Sequence, residues 1–399
     1  MSIVVLPFAN LSNDPEQQYF ADVITDDVTT DLSRVAHSFV ISRSTAFTYR
    51  NKPIDTKQIG RELGVRYVLE GSVRRSGNQV RVNAQLIDAE ADAHLWAEQF
   101  DGNIGDLFAL QNAITSRIAI ALDFAMVSAE AARPPANPDA LDYMFRAHAA
   151  GSKPPTPDSM AEVIGLLERA LALDPGSAEG QIRLAATLTG RVLMQMSNTA
   201  AADIARAKHL LGQVSPDTAL AHWAKGQLLR EQYRYADAIP EYEAAIALDR
   251  NATHAYASLG QCKLLTGSLE EVVPLVNQAI RLSPRDPSLG YWYDLIGLTH
   301  LLQSRTEEAI VWLEKARTAS PARPFIRGHL AAAYGIKGES ERAAVELAEA
   351  RRLSRIPDHY SSIARWKAAA QFSFGVPKIR ALSEATFFAG LRKAGVPEE

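Results

Sequence analysis

A single cysteine, Cys262, stands in the 399-residue sequence. That scarcity excludes an intrachain disulfide framework and any zinc site built on several thiolates. Long apolar runs are also lacking: nothing approaches the ~20 consecutive residues that a membrane-spanning helix needs. There is no basic excess. The formal net charge is -4, and residues 1–125 carry 11 Lys/Arg against 16 Asp/Glu while the remainder carries 31 against 30. Neither part has the cationic surplus of a nucleic-acid binder. The opening MSIVVLPFANLSND has no basic leader, and Pro7 interrupts its apolar run, so it reads as a strand and not as a signal peptide. A cytoplasmic chain without membrane insertion is expected. Phosphate loops, H-E-x-x-H, G-x-S-x-G and Rossmann glycines are absent. No catalytic residue, cofactor or metal is therefore expected, and the chain reads as non-enzymatic.

The length exceeds one ordinary core and predicts two or more folding units. Residues 1–125 alternate strand-like and helix-like segments. An apolar run at 3–8 reads as a buried strand. Phe20, Val23, Ile24, Val28 and Leu32 recur at helical spacing over 17–33, with Asp22, Asp26, Asp27 and Asp31 on the polar side. A strand at 39–42 and a helix at 56–63 closed by Gly64 follow. Strands are expected at 67–75, 79–88 and 94–101, the first two joined by the turn signal Ser76-Gly77-Asn78. Val80, Val82, Ala84 and Leu86 alternate with Arg81, Asn83 and Gln85, so one sheet face is buried and one is wet. A helix at 107–125 closes the unit. The order βαβαβββα predicts an α+β domain, a mixed sheet with packed helices. The Ala- and Pro-rich stretch within 126–140 reads as a linker.

From residue 141 the sequence repeats itself. Gly226 and Gly260 are 34 apart, as are Ala245 and Ala279, Ala309 and Ala343, and Leu313 and Leu347. Pro175, Pro216, Pro284 and Pro321 end the second helix of most units, because proline cannot continue the hydrogen-bond ladder. Tyr256-x-x-Leu259-Gly260 with Ala279 and Pro284, and Tyr293-x-x-Ile296-Gly297 with Ala309, Leu313, Ala316 and Pro321, resemble the tetratricopeptide repeat. About six units span 141–357, divided near 176, 216, 250, 286 and 321, with insertions near 152–158 and 191–200. The expectation is an all-α solenoid. Residues 358–399 read as two helices, 361–374 and 378–394, capping the open end.

The stretches Val5-Leu6-Pro7-Phe8, Tyr19-Phe20-Ala21-Asp22, Arg61-Glu62-Leu63-Gly64-Val65-Arg66-Tyr67-Val68-Leu69-Glu70-Gly71-Ser72-Val73-Arg74 and Leu95-Trp96-Ala97-Glu98 resemble the TolB-like amino-terminal domain. That domain often joins tetratricopeptide repeats to an effector in bacterial signalling proteins. The effector is typically a class III adenylate or guanylate cyclase or a winged-helix transcription activator. The ending Gly390-Leu391-Arg392-Lys393-Ala394-Gly395-Val396-Pro397-Glu398 resembles the finish of cyclase-linked versions. The resemblance implies a regulatory region separate from its effector. The alternatives are the detached sensory region of a nucleotide cyclase or of a winged-helix regulator.

Tetratricopeptide stacks line their inner groove with the first helix of each hairpin. Carrying the family's groove positions over gives Trp223, Gln227 and Arg230, then His254 and Gln261, then Tyr291 and Asp294. This mixture of aromatic, amide and charged groups suits a protein or peptide partner, and self-association is a further expectation. The same face turns apolar at Leu264, Leu265, Leu298, Leu301 and Leu302. Either an amphipathic helix docks there or the chain's own C-terminal helices fill it. Cys262, beside Gln261, reads as a buried small hydrophobe. The four aspartates near residue 26 read as a solvated face or a cation site, and Arg74, Arg75 and Arg81 as a charged sheet edge or an anion contact.

Overall fold

The computed structural model describes residues 1–12, 18–33, 38–50, 52, 55–76, 78–103, 107–132, 139–151, 153–214, 217–354, 358–369 and 375–399. Two compact units result: 1–152 with 165–175 and 281–283, and 153–164 with 176–280 and 284–399.

The first unit contains β1 (Ser2–Val5), β2 (Ala9–Asn10), α1 (Gln18–Leu32), β3 (Phe39–Val40), α2 (Arg43–Phe47), α3 (Thr56–Leu63), β4 (Tyr67–Ser76), β5 (Gln79–Asp88), β6 (Ala93–Asn103), α4 (Leu107–Ala131) and α5 (Ala140–Gly151). Its sheet runs β3-β1-β4-β5-β6, with β2 also on β4. β1 is parallel to β3 and β4, whereas β4, β5 and β6 are antiparallel. The sheet is therefore mixed, as the segment order implies. The alternation along β5 buries Val80, Val82, Ala84 and Leu86 against α1 and α4, in one cluster with Phe20, Ile24, Val28, Ile118 and Leu122. A smaller cluster on α2 and α3 joins Ala46 and Ile59 to Val4, Val65, Val68 and Ala89. α3 is bounded as its residues dictate: Asp55 accepts from the Lys57 N–H, and Gly64 takes φ +64° at the C-terminus, a conformation that costs a Cβ-free residue nothing.

Three local features differ from the sequence reading. The strand at 39–42 stops at Val40 and gives way to α2, whose Ser42, Ser44 and Thr45 hydroxyls bond one another. β2 forms after Pro7 because the chain returns to β4, Leu11 donating to Val73. α4 continues through Ala131, so its alanines extend a helix into the expected linker. Residues 133–138 of that linker lie outside the described residues, as does Gly77 of the expected turn.

α6 (Pro157–Leu173) is divided between the two groupings. The second unit continues with α7 (Ala178–Leu193), α8 (Ala200–Gly212), α9 (Ala219–Glu231), α10 (Tyr235–Leu248), α11 (Thr253–Thr266), α12 (Leu269–Leu282), α13 (Leu289–Leu302), α14 (Thr306–Ala319), α15 (Pro324–Lys337) and α16 (Ser340–Leu353). α7 packs on α8, α9 on α10, α13 on α14 and α15 on α16, and the first helices α7, α9, α11, α13 and α15 neighbour one another in series. The repeat register has a steric cause. A Cβ on Gly226 would fall 2.7 Å from the Tyr242 ring, one on Gly260 3.0 Å from Val276, and one on Gly297 2.7 Å from Leu313. Each glycine sits where the two helices of a hairpin cross, and the large residue opposite fills the space left for it. Pro175, Pro284 and Pro321 fall between helices, while Pro216 lies outside the described residues.

The C-terminal segment forms α17 (Ile363–Ala369), α18 (Pro377–Ser383), a π-helical turn (Glu384–Phe388) and α19 (Ala389–Lys393). Residues 370–374 of the first expected helix lie outside the described residues. This segment does more than cap the last hairpin: it packs on the first helices α11, α13 and α15. Val376 N–H donates to the Leu265 carbonyl (3.0 Å), and Ile363 N–H to that of Pro397 (2.7 Å). Small residues on α15 admit it at backbone distance. A Cβ on Gly328 would meet the Trp366 ring at 1.9 Å, and one on Gly335 the Gly390 carbonyl oxygen at 2.1 Å.

Candidate interaction surface

The first helices bring most of the expected groove residues onto adjacent elements. Trp223, Gln227 and Arg230 recur at i, i+4 and i+7 along α9, one face of a helix. His254 and Gln261 follow on α11, and Tyr291 and Asp294 on α13. His254 is exposed and stands edge-on between two indoles, 6.0 Å from Trp223 and 5.8 Å from Trp292. An aromatic row thus crosses three first helices, with Trp292 fully buried at its end. His254 Nε2 also lies 3.7 Å from Asp286.

A second, polar row crosses the same helices. Arg230 Nη1 donates to Ser258 Oγ at 3.5 Å. The Ser258 hydroxyl in turn bonds Tyr242, and the Tyr242 hydroxyl donates to Gln227 Oε1 at 3.2 Å. Gln261 bonds the Tyr291 hydroxyl. Burial pushes the Tyr291 phenol up to about 12 despite the opposing charge of Arg230. It pushes the Cys262 thiol up to about 12 in the same way, so that side chain is a neutral, packed hydrophobe and no nucleophile.

The seven residues are not equally placed for a partner. Trp223, Arg230 and Tyr291 are half-buried, His254 is exposed, and Gln227 and Gln261 are buried. Asp294 is buried too, and accepts from His329 Nδ1 at 2.7 Å. His329 stands edge-on to Phe387 of the C-terminal segment, 5.4 Å away. Asp294 therefore holds the fold beneath that segment. The same segment accounts for the apolar stretch of the face. Leu264, Leu265, Leu298, Leu301 and Leu302 are buried in one cluster with Ile379, Phe387, Phe388 and Leu391. The chain's own helices fill that end. Ser258 and Tyr242 were not foreseen. Their signal was faint, a small polar residue two turns before the end of a first helix and a tyrosine at the hairpin crossing.

Elsewhere three of the charged candidates are paired. Asp22 meets Arg50 at 2.5 Å, Asp26 meets Arg43 at 3.5 Å, and Arg81 meets Asp101 at 2.7 Å. Asp31 is buried. No group of three or more His, Cys, Asp or Glu among the described residues is arranged to hold a metal ion. His222 meets Glu241 at 2.7 Å. Among the described residues no helix is long and apolar enough to cross a membrane.

Comparison with known proteins adds two family matches. Residues 1–117 match the second domain of HilA/YgeH-like transcriptional regulators, the stretch that also carries the TolB-like resemblance. Residues 187–253 and 224–287 match the tetratricopeptide repeat. A putative adenylate cyclase 3 from Rhizobium meliloti (strain 1021) is 46% identical over 187 residues, 46% of this chain and 32% of that protein. A cell division cycle protein 27 homolog from Caenorhabditis elegans is 33% identical over 98 residues, 25% of this chain and 12% of that protein. These matches therefore span a third or less of the relatives' own lengths. Among solved structures, the APC/C hetero-tetramer Cut9-Hcn1 covers 73% of this chain and 53% of that chain, at 13% identity and a TM-score of 0.44.

Proposed function

Taking the chain as one that carries tetratricopeptide repeats, we propose that it is a non-enzymatic scaffold of bacterial signalling that binds a protein partner on the first-helix face of α9 and α11. It acts in the cytoplasm. The observation that carries this reading is the joint placement of Trp223, Arg230, His254 and Tyr291 on neighbouring first helices, part-exposed, beside an apolar stretch that the chain covers itself. Half-buried aromatic and arginine side chains are the types that dominate binding energy at protein interfaces. The test is capture of partners from the native cell by the whole chain and by a Trp223→Ala/His254→Ala double variant. A partner lost from the double variant and retained by Val345→Ser, on the exposed side of a second helix, supports the reading. Equal recovery by all three sinks it.

A second reading has its own observation, the 46% identity to a putative adenylate cyclase over 187 residues. In it, the chain is the regulatory region of a nucleotide cyclase, and the partner is a catalytic domain. Adding the purified chain to a cyclase catalytic domain from the same cell should then change its rate of cyclic nucleotide formation. The match of 1–117 to a HilA/YgeH-like regulator gives the corresponding reading for a transcription regulator, with gene expression as its readout. Cyclic nucleotide made from ATP by the purified chain alone would overturn the non-enzymatic part of the proposal.

A further inference from the structure

Arg230 differs from four other half-buried arginines among the described residues. Arg66 meets Asp88 at 2.8 Å, Arg191 meets Asp203 at 2.5 Å, and Arg317 and Arg327 meet the two oxygens of Glu346 at 2.6 and 2.8 Å. Each of these guanidinium groups is balanced by a carboxylate. Arg230 meets none. Among the described residues its one hydrogen bond is the 3.5 Å contact to Ser258, and its Nε is shut off from solvent with no acceptor there. The titratable groups it faces are all neutral at neutral pH: Tyr242 and Cys262, both buried, Tyr235, and Tyr291 from α13. A guanidinium in such surroundings loses hydration and gains in return only the long bond to Ser258. On the same face of α9, two turns earlier, the Trp223 indole N–H is likewise buried without an acceptor.

The missing group is an anion, and its charge can be stated. The neighbouring cations are already used: Lys225 pairs with Glu241, and Lys263 with Glu271 and Glu243. One positive charge is left over. A carboxylate would neutralise it and match the planar fork of the guanidinium with two oxygens. A phosphate would leave a surplus negative charge in a poorly hydrated place. Arg230 also retains part of its surface at the face, so a partner can reach it.

We propose that Arg230 is the anchor for a single aspartate or glutamate side chain of a protein partner lying across α9 and α11. The inference rests on the scaffold reading above and narrows it to an acidic partner segment. The aromatic row of Trp223 and His254 beside the anchor calls for apolar residues next to that acid. The guanidinium, which keeps part of its surface at this face, is the donor on offer to an acceptor from outside.

The test pans a phage-displayed library of random peptides, their C-termini fused to the coat protein, against the whole chain and against its Arg230→Met and Arg230→Lys variants. Peptides enriched by the unaltered chain should share one Asp or Glu with apolar neighbours, and that preference should vanish with Arg230→Met. For a synthetic winner, Glu→Gln should weaken binding to the unaltered chain by about tenfold or more and leave binding to Arg230→Met unchanged, the signature of a direct pair. Arg230→Met should also melt at the same or a higher temperature, because an unbalanced buried charge has been removed. A melting point several degrees lower would mean that the fold itself balances Arg230 and would overturn the proposal. Winners without a shared acid would leave the scaffold reading standing and sink the anchor. No enrichment at all would sink both. Tighter binding of a phosphoserine version than of the glutamate peptide would refute the carboxylate assignment.

Discussion

At the residue scale the first unit depends on one buried charge cluster. Arg66 donates to Asp88 and to Glu130, and the Tyr67 hydroxyl donates to Glu130 at 2.8 Å. Burial alone would raise the Asp88 carboxyl. Arg66 and the backbone N–H groups of Ala91 and Glu90 outweigh it and hold Asp88 below the usual carboxylate range. A folded-state value below the unfolded one gives stability that is complete above the unfolded value of about 3.9 and is lost as pH falls through the folded value. Arg66→Met should abolish this acid-dependent share. It should also cost about 3 kcal/mol at neutral pH, since Asp88 is left buried without its partner. Denaturant titrations of the first unit's transition at pH 7 and pH 3.5 check both effects. Cys262 gives a second expectation. With its thiol pushed up to about 12 by burial, it should ignore thiol reagents in the native chain and react on unfolding. Its burial was legible from composition, a lone small hydrophobe beside a helix crossing. The burial of Asp294 was not, because its partner His329 stands on the next first helix and no local pattern announces that pairing.

At the scale of elements, the hairpins were readable because steric exclusion writes a fixed spacing. A glycine must stand where two helices cross, and the crossing recurs each time the hairpin does. The alternation along β5 was readable for a similar reason, since the two faces of a sheet meet different media. α2 and β2 were not, being short elements that exist through tertiary contacts and leave no periodicity. The C-terminal segment lies between these cases. Its apolar stripe and that of the facing helices could be seen, but two complementary stripes do not say that they belong to each other. The close approach of Gly335 to Gly390 turns this into a prediction. Gly335→Ala places a methyl 2.1 Å from a backbone oxygen, which no rotamer change relieves. It should cost about 1–3 kcal/mol and should be felt first as loosening of α19. Hydrogen exchange should show lost protection across 389–396, with α7 to α10 unchanged. Uniform loss of protection across the unit would contradict the assignment of α19 to this contact.

At the scale of the whole second unit, the apolar end of the first-helix face is covered by the chain's own C-terminal segment. Removal of 358–399 should uncover Leu265, Leu298, Leu301 and Leu302, now fully buried, as one contiguous apolar strip. Strips of that kind drive association. The shortened chain is expected to self-associate at concentrations where the whole chain sediments more slowly, as measured by sedimentation velocity. Equal sedimentation of the two would mean that the hairpins close the strip by themselves.

The path of this segment has a further consequence for how such a stack can change its length. From Val376 onward it runs from α11, where Val376 bonds Leu265, to α15, where Gly390 meets Gly335. Its span is therefore matched to the rise of the intervening hairpins. Duplicating a hairpin between α11 and α15 would carry Gly335 out of reach of Gly390, whereas duplicating one before α9 would leave the match intact. The segment acts as a gauge of repeat number. A hairpin inserted between α11 and α15 should therefore break the Gly335–Gly390 contact, and one inserted before α9 should not.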